Sequence, residues 1–160
     1  MRYTPKAELD SRVAKLQACL QQDGIDGAII VQNADLFYFS GTIQRSHLFI
    51  PAEGKPVLMV KKNLERAKTE SRLDNIVGVG SLREMGNILQ SFGYGPFKTL
   101  GFELDVLPAN NYLRYQKLFT PAKIVDVSMF IRTIRAVKSP YEMEILRDVA
   151  ILHQETFYFV

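Results

Sequence analysis

The sequence predicts an α/β domain of three layers, α/β/α, with helices on both faces of a mixed sheet of about six strands. Short apolar runs alternate with longer amphipathic segments along the chain, as expected when helices cover a central sheet. Two of the apolar runs flank a short loop with proline and glycine, which indicates an antiparallel hairpin. The length of 160 residues suits one domain with a short appendage.

The first elements are a helix, a buried strand and a second, short helix. Apolar residues recur at helical spacing over 8–22, and Gly24 is a suitable C-terminal stop. The run 28–31 contains four consecutive apolar residues, which is typical of a strand covered on both faces. Asn33 can cap a helix that ends at Gly41.

The hairpin and the remaining elements follow in regular alternation. The hairpin joins the runs 47–50 and 56–60. Further helices are predicted over 61–72, 82–92, 108–119 and 128–135, and further strands over 75–79, 99–102 and 122–127. Ser139, Pro140 and Glu142 then predict the start of a long final helix, as N-cap, first helical residue and capping-box acid.

Composition excludes several classes of protein. Apolar residues make up 47% and charged residues 23%, which is ordinary for a globular domain, and no apolar run approaches the roughly 20 residues of a membrane span. The net charge of +3 is too small to indicate a nucleic-acid-binding protein. The single cysteine, Cys19, cannot form an internal disulfide, so we expect a reducing compartment, the cytoplasm.

Residue patterns that carry chemistry are scarce. The two histidines, His47 and His153, lie in different elements, and no metal-binding spacing is visible. Gly78-Val79-Gly80 is similar to a dinucleotide-binding loop, but Arg83 stands where the third glycine belongs. Glu103 and Asp105 would share one face of an extended strand and could act in acid–base chemistry; capping of a loop is the simpler interpretation.

Three short motifs together resemble a known family. Tyr38-Phe39-Ser40-Gly41 follows Asn33, Leu100-Gly101-Phe102-Glu103 ends a predicted strand, and residues 135–142 have the pattern Arg-x-x-Lys-Ser-x-x-Glu. With the helix, turn and strand over 12–30, their order resembles the N-terminal domain of the creatinase/prolidase/Xaa-Pro aminopeptidase family, the pita-bread metallopeptidases. Phe39 replaces the usual leucine and preserves burial.

The resemblance implies a ribonuclease-H-like fold without ribonuclease activity. Residues 1–134 would form this domain, and 135–160 the interdomain junction and first helix of a C-terminal catalytic domain that this chain lacks. The parent enzyme would be a hydrolase that uses two divalent metal ions (Mn, Co or Zn), all held by that catalytic domain. It would cleave short proline-containing peptides or, as the open alternative, hydrolyse creatine-like amides. No metal ligand or catalytic residue is therefore assigned here. The resemblance also implies a homodimer.

The resemblance further suggests a role for the loop over 40–47. In relatives, loops of this domain reach the partner subunit's active site, so Arg45 and His47 are the candidate substrate-facing residues. A solvent-exposed connection is the alternative. For the chain as a whole, the alternative is a stand-alone binding or scaffold protein. An apolar stripe on the final helix, from Ile145 to Leu152 and on to Phe157, Phe159 and Val160, predicts an interface. We expect a dimer through this helix; folding back of the helix on its own domain is the alternative.

Overall fold

A computed structural model of the chain describes residues 3–158 and shows six strands in one sheet between two helical layers. In these residues the helices are α1 (Lys6–Gln22), α2 (Asn33–Ser40), α3 (Leu64–Glu70), α4 (Met85–Ser91), α5 (Ala109–Leu118), α6 (Ser128–Ala136) and α7 (Pro140–Tyr158). The strands are β1 (Gly27–Ile30), β2 (Ser46–Pro51), β3 (Val57–Val60), β4 (Asn75–Gly78), β5 (Thr99–Phe102) and β6 (Lys123–Asp126). The predicted three-layer α/β fold with a mixed sheet is confirmed.

The sheet has the strand order β4-β3-β2-β1-β5-β6. The pairs β1–β5, β5–β6 and β3–β4 are parallel, whereas β2 runs antiparallel to both β1 and β3. The predicted hairpin is thus confirmed, with Leu48 opposite Leu58. Because β2 alone is reversed, the carboxyl ends of the other five strands lie at one edge of the sheet.

Each face of the sheet carries its own apolar core. Helices α1, α2, α3 and α6 cover one face, and α4 and α5 cover the other. Alternation along β2 assigns Leu48 and Ile50 to the first core and Phe49 to the second. All three are fully buried, and burial of each such side chain is worth about 1.5–3 kcal/mol. The tightly filled layers fix the positions of the loops at the sheet edge.

Two predicted helices are shorter or less regular than the sequence pattern indicates. The segment 61–72 forms a helix only over Leu64–Glu70, because Asn63 has a left-handed conformation (φ 59°) and Ser71 is extended. The segment 82–92 begins as a 3-10 turn over Leu82–Glu84 before α4 starts. Both differences arise at helix ends, where local backbone geometry decides the boundary.

Gly101 of the Leu-Gly-Phe-Glu motif is required by close packing, and this gives a testable prediction. A Cβ atom there would lie 2.5 Å from Cγ1 of Val127. We expect Gly101→Ala to lower the free energy of unfolding by about 1–3 kcal/mol through overpacking. Urea denaturation measures the change.

Two further variants make the Gly101 experiment specific. Val127→Ala should cost less in the Gly101→Ala background than in the wild type, since it removes the clash. Gly86→Ala is the control: a Cβ on Gly86 in α4 meets nothing within 4 Å, and alanine favours the helix. Equal destabilisation by Gly86→Ala and Gly101→Ala would contradict the packing explanation.

Candidate functional site

The start of α7 is fastened to α1 and α2 by a buried group of side chains that we call the junction clamp (Glu8, Arg12, Tyr38, Ser139 and Glu142). Arg12 is only 5% exposed. Its Nε lies 2.8 Å from Oε1 of Glu8, and its Nη2 lies 3.3 Å from Oε1 of Glu142. Its Nη1 donates to the carbonyl oxygen of Tyr38 at 2.7 Å, and the guanidinium lies 4.1 Å from the centre of the Tyr38 ring. One arginine thus ties three helices together.

Ser139 and Glu142 form the predicted capping box within this clamp. The Glu142 N–H donates to Oγ of Ser139 at 3.1 Å, and the Ser139 N–H donates to Oε2 of Glu142 at 2.9 Å. The Ser139 hydroxyl also donates to Oε1 of Glu8 at 2.8 Å. The same two residues therefore start α7 and attach it to α1.

The other two residues of the Arg-x-x-Lys-Ser-x-x-Glu pattern act just before α7. Arg135, in the last turn of α6, pairs with Asp35 of α2 at 2.6 Å. Nζ of Lys138 donates to the carbonyl oxygen of Arg135. Lysine and arginine near a helix C-terminus also compensate its unpaired carbonyl groups. All four residues of the pattern thus hold the connection between α6 and α7.

Glu103 supports the same region from the sheet. It follows β5, is 1% exposed, and its Oε2 accepts the N–H groups of Val31 at 2.6 Å and Gln32 at 3.0 Å. Burial and the nearby Asp35 carboxylate raise the pKa of Glu103 to about 8. Its Oε1 is buried without a donor among residues 3–158, so the carboxyl group keeps a proton at neutral pH.

The possible acid–base pair of Glu103 and Asp105 does not form. Strand β5 ends at Phe102, so the two side chains do not share a strand face. Asp105 instead accepts the Ser128 hydroxyl at 2.7 Å and pairs with Arg132, on the α6 side of the loop. Both carboxyl groups are occupied in holding loops, as the simpler interpretation of the sequence expected.

A groove lies between α7 and the body of the domain. Its volume is about 660 Å³, and mainly apolar side chains line it, among them Phe37, Tyr38 and Ile145. The apolar stripe of α7 includes Val149, which lines the groove and is 54% exposed, and continues to Leu152, which is 61% exposed. Phe159 and Val160, which the sequence adds to this stripe, lie outside the described residues. The stripe has the character of an interface.

The loop over 40–47 is attached to α3 through Glu70, and its Arg45 side chain is exposed to solvent. Oε2 of the buried Glu70 accepts the Thr42 hydroxyl at 2.6 Å and Nε2 of Gln44 at 3.4 Å. These contacts and the bond from Arg66 to Glu70 lower the pKa of Glu70. The Arg45 side chain is exposed, in a loop that these contacts attach to α3.

His47 is half-buried on β2 and faces α5. Its Nε2 lies 2.7 Å from the hydroxyl of Tyr115. Burial, and the charges of Lys61 and Arg45, lower the pKa of His47 to about 4, and burial raises the pKa of Tyr115 to about 12. Both groups are therefore neutral near pH 7. The other ring nitrogen, Nδ1, is buried and has no hydrogen-bond partner among residues 3–158.

Within residues 3–158, no group of three or more His, Cys, Asp or Glu side chains is arranged to hold a metal ion. Across the same residues, no helix has the length and apolar character needed to cross a membrane.

Comparison with known proteins now identifies the domain. Residues 12–137 match the sequence profile of the creatinase/prolidase N-terminal domain. The chain belongs to this family. As a creatinase/prolidase N-terminal domain it is 26% identical over 149 residues to the uncharacterized peptidase YqhT of Bacillus subtilis, covering 91% of this chain and 41% of that protein.

Solved structures show the same fold. The prolidase of Pyrococcus horikoshii OT3 superposes with a TM-score of 0.77 at 24% identity, over 92% of this chain and 41% of that one. The Xaa-Pro dipeptidase of Bacillus anthracis gives 0.75 at 21% identity, over 93% and 43%. The N-terminal domain of the cytoplasmic peptidase PepQ from Mycobacterium tuberculosis gives 0.66 at 20% identity, over 78% and 98%. This creatinase/prolidase N-terminal domain thus spans about two fifths of the longer relatives.

Proposed function

We propose that this chain is the non-catalytic N-terminal domain of a metal-dependent Xaa-Pro peptidase, acting in the cytoplasm on short proline-containing peptides. Residues 1–134 form the domain, and 135–160 form the junction and the first helix of the catalytic domain. Two divalent metal ions (Mn, Co or Zn) belong to that catalytic domain. The proposal rests on the family membership together with the share of the longer relatives, about two fifths, that the chain spans.

The junction clamp gives this proposal a mechanical basis. A helix that served only its own domain would turn its apolar stripe inward, but α7 keeps Leu146, Val149 and Leu152 about half exposed or more. The clamp fixes the direction in which α7 leaves the domain, through Arg12, Ser139 and Glu142. The clamp thereby fixes the orientation of the domain relative to the partner that packs on the apolar stripe of α7.

We further propose that the domain shapes the substrate entrance through Arg45 and His47. Arg45 is exposed on a loop that Glu70 holds in place, so its charge can act at a fixed position. His47 is half-buried against Tyr115 and stays neutral at physiological pH, so Arg45 carries the charge of this rim. Such a rigid rim would select short substrates by steric exclusion and by attraction of a peptide's carboxylate to Arg45.

The isolated chain is expected to have no peptidase activity. Purified protein of 160 residues, with added Mn²⁺ or Co²⁺, should not release the residue that precedes proline from a short peptide. Clear turnover by this chain alone would contradict the assignment. A gene that stopped at Val160 would favour a stand-alone binding or scaffold protein instead.

The apolar stripe of α7 predicts a dimer of the isolated chain, with two copies covering each other's stripe. Leu152→Glu should convert the dimer to a monomer, because it places a charge at a position that is 61% exposed in the single chain and buried in the pair. Gln154→Glu adds the same charge to the same helix on the opposite side and should leave the dimer intact. Size-exclusion chromatography with light scattering gives the mass. A wild-type monomer would contradict this interface.

A further inference from the structure

A second concave surface lies on the other side of the sheet from α7. It is a cavity of about 740 Å³ between the carboxyl ends of β3 and β4 and the outer side of α5. We call it the basic groove, after the four cationic side chains that line it, Lys61, Arg83, Arg114 and Lys117. Its volume is that of a small-molecule site.

One carboxylate, that of Glu84, lies beside the groove on the Gly80-Ser81 loop, but none of the four cations is paired with it. Within the described residues none of them forms an ion pair or a side-chain hydrogen bond, in contrast to Arg12, Arg66 and Arg135. Four like charges around one cavity repel one another, and a cavity lined by a single sign concentrates its field on a ligand of the opposite sign. All four side chains are exposed, so solvent screens part of this repulsion, and an anion in the cavity would offset the rest.

The loop at the groove cannot itself bind phosphate in the manner of a dinucleotide site. Its Gly80 N–H donates to Oε2 of Glu84 at 3.0 Å, and the Ser81 hydroxyl donates to Oε1 of Glu84 at 3.0 Å. The chain's own carboxylate thus occupies the groups that a phosphate would need. Ligand recognition in the groove therefore depends on the cationic side chains, and the charge of the ligand matters more than its shape.

We propose that the basic groove binds a small anion that carries two or more negative charges, with phosphate or carboxylate groups. Arg114 and Lys117 lie three residues apart on α5 and face Lys61 and Arg83 across the cavity, so separate charges of one ligand can each find a cation. Leu82 and Leu118 also line the groove and can contact an apolar part of the ligand.

The two histidines allow a direct test by NMR. His47 is close to the groove, since it pairs with Met59 on β3, two residues before Lys61. Its Nε2 also lies 2.7 Å from the hydroxyl of Tyr115, the sequence neighbour of Arg114 on α5. His153 lies on α7, which packs against the other helical layer. Pyrophosphate and citrate, added at constant ionic strength to the whole chain, should each shift the His47 signals saturably and leave His153 unchanged. Acetate should shift neither.

Two double variants show whether the groove is responsible. Arg114→Ala/Lys117→Ala should weaken pyrophosphate binding by about tenfold or more, because two charged hydrogen-bond donors are lost. Lys15→Ala/Arg147→Ala removes the same two residue types from exposed positions on α1 and α7, and should bind like the wild type. The exchange Arg114→Lys/Lys117→Arg should retain binding.

Three results would overturn the proposal. The first is the absence of any saturable shift of His47 in the wild type. The second is equal weakening by the groove variant and its control, which would mean that net charge alone decides. The third is tighter binding of a long oligonucleotide than of pyrophosphate, with protection extending beyond the groove. None of these depends on peptidase activity, so the test is independent of the proposed function.

Discussion

Replacing Arg12 by alanine is expected to lower the free energy of unfolding by about 3–5 kcal/mol, the cost of breaking a buried ion pair from one side. The substitution leaves Glu8 and Glu142, with side chains 12% and 17% exposed, without their counter-charge. It also leaves the Tyr38 carbonyl oxygen without its donor. Because all three groups are shielded from water, solvent cannot replace the guanidinium.

Urea denaturation of wild type and variant at neutral pH measures this loss. The matched control is Lys68→Ala, which also removes one partner of an ion pair within a helix; its partner Glu65 is 85% exposed, so the cost should be under about 1 kcal/mol. Amide hydrogen exchange in the first turn of α7 should become faster in the Arg12 variant and stay unchanged in the control. Similar small effects of both substitutions would show that the clamp does not hold α7.

The sequence predicts those features of the domain that depend on local patterns. The run Ala28–Val31 and the hairpin around Gly54 indicate strands because their apolar residues are consecutive and their boundaries are turn residues. The capping box of Ser139 and Glu142 is visible because its partners lie three residues apart. In each case the physical cause acts within a few residues, so a single sequence contains it.

The contacts that make the junction rigid could not be predicted in this way. Arg12 lies at the edge of the apolar stripe of α1, three residues after Leu9 and four before Leu16. The spacing does not reveal its partners, because Tyr38 and Glu142 lie 26 and 130 residues away. Glu103 binds a loop, as the capping interpretation expects, but that loop is formed by Val31 and Gln32, which follow the neighbouring strand β1. Only the pairing of β1 with β5 brings them together.

The basic groove was missed for the same reason. Lys61 and Arg83 lie on the connections after β3 and β4, whereas Arg114 and Lys117 lie on α5. In the sequence these residues belong to polar segments typical of solvated surfaces. The parallel pairing of β3 and β4 and the packing of α5 on the same face bring the four charges around one cavity.

Replacing Glu103 by glutamine is expected to remove most of the pH dependence of stability between pH 6.5 and 8. In the folded chain the pKa of Glu103 is raised to about 8 from its usual 4.5. Between these two pH values the folded chain keeps a proton on Glu103 that the unfolded chain releases. The stability that this proton provides is complete below about pH 4.5 and is lost as the pH rises toward 8. From this group the wild type should therefore lose about 1.4 kcal/mol per pH unit near pH 6.5 and about half of that per unit at pH 8, where the group is half ionised.

Glutamine should preserve the contacts of Glu103 without carrying the proton. Its carbonyl oxygen can accept the N–H groups of Val31 and Gln32, and its amide group can donate toward Asp35. The comparison starts at pH 6.5 because of His47. Folding lowers the pKa of His47 from 6.5 to about 4, so below pH 6.5 its contribution to stability rises with pH and opposes the loss caused by Glu103. The measurement is the urea midpoint at pH 6.5 and at pH 8 for the wild type, Glu103→Gln and the exposed control Glu53→Gln. The midpoint should fall between these pH values in the wild type and change little in Glu103→Gln. The control should keep the wild-type slope, and a wild type as stable at pH 8 as at pH 6.5 would mean that Glu103 is ionised throughout.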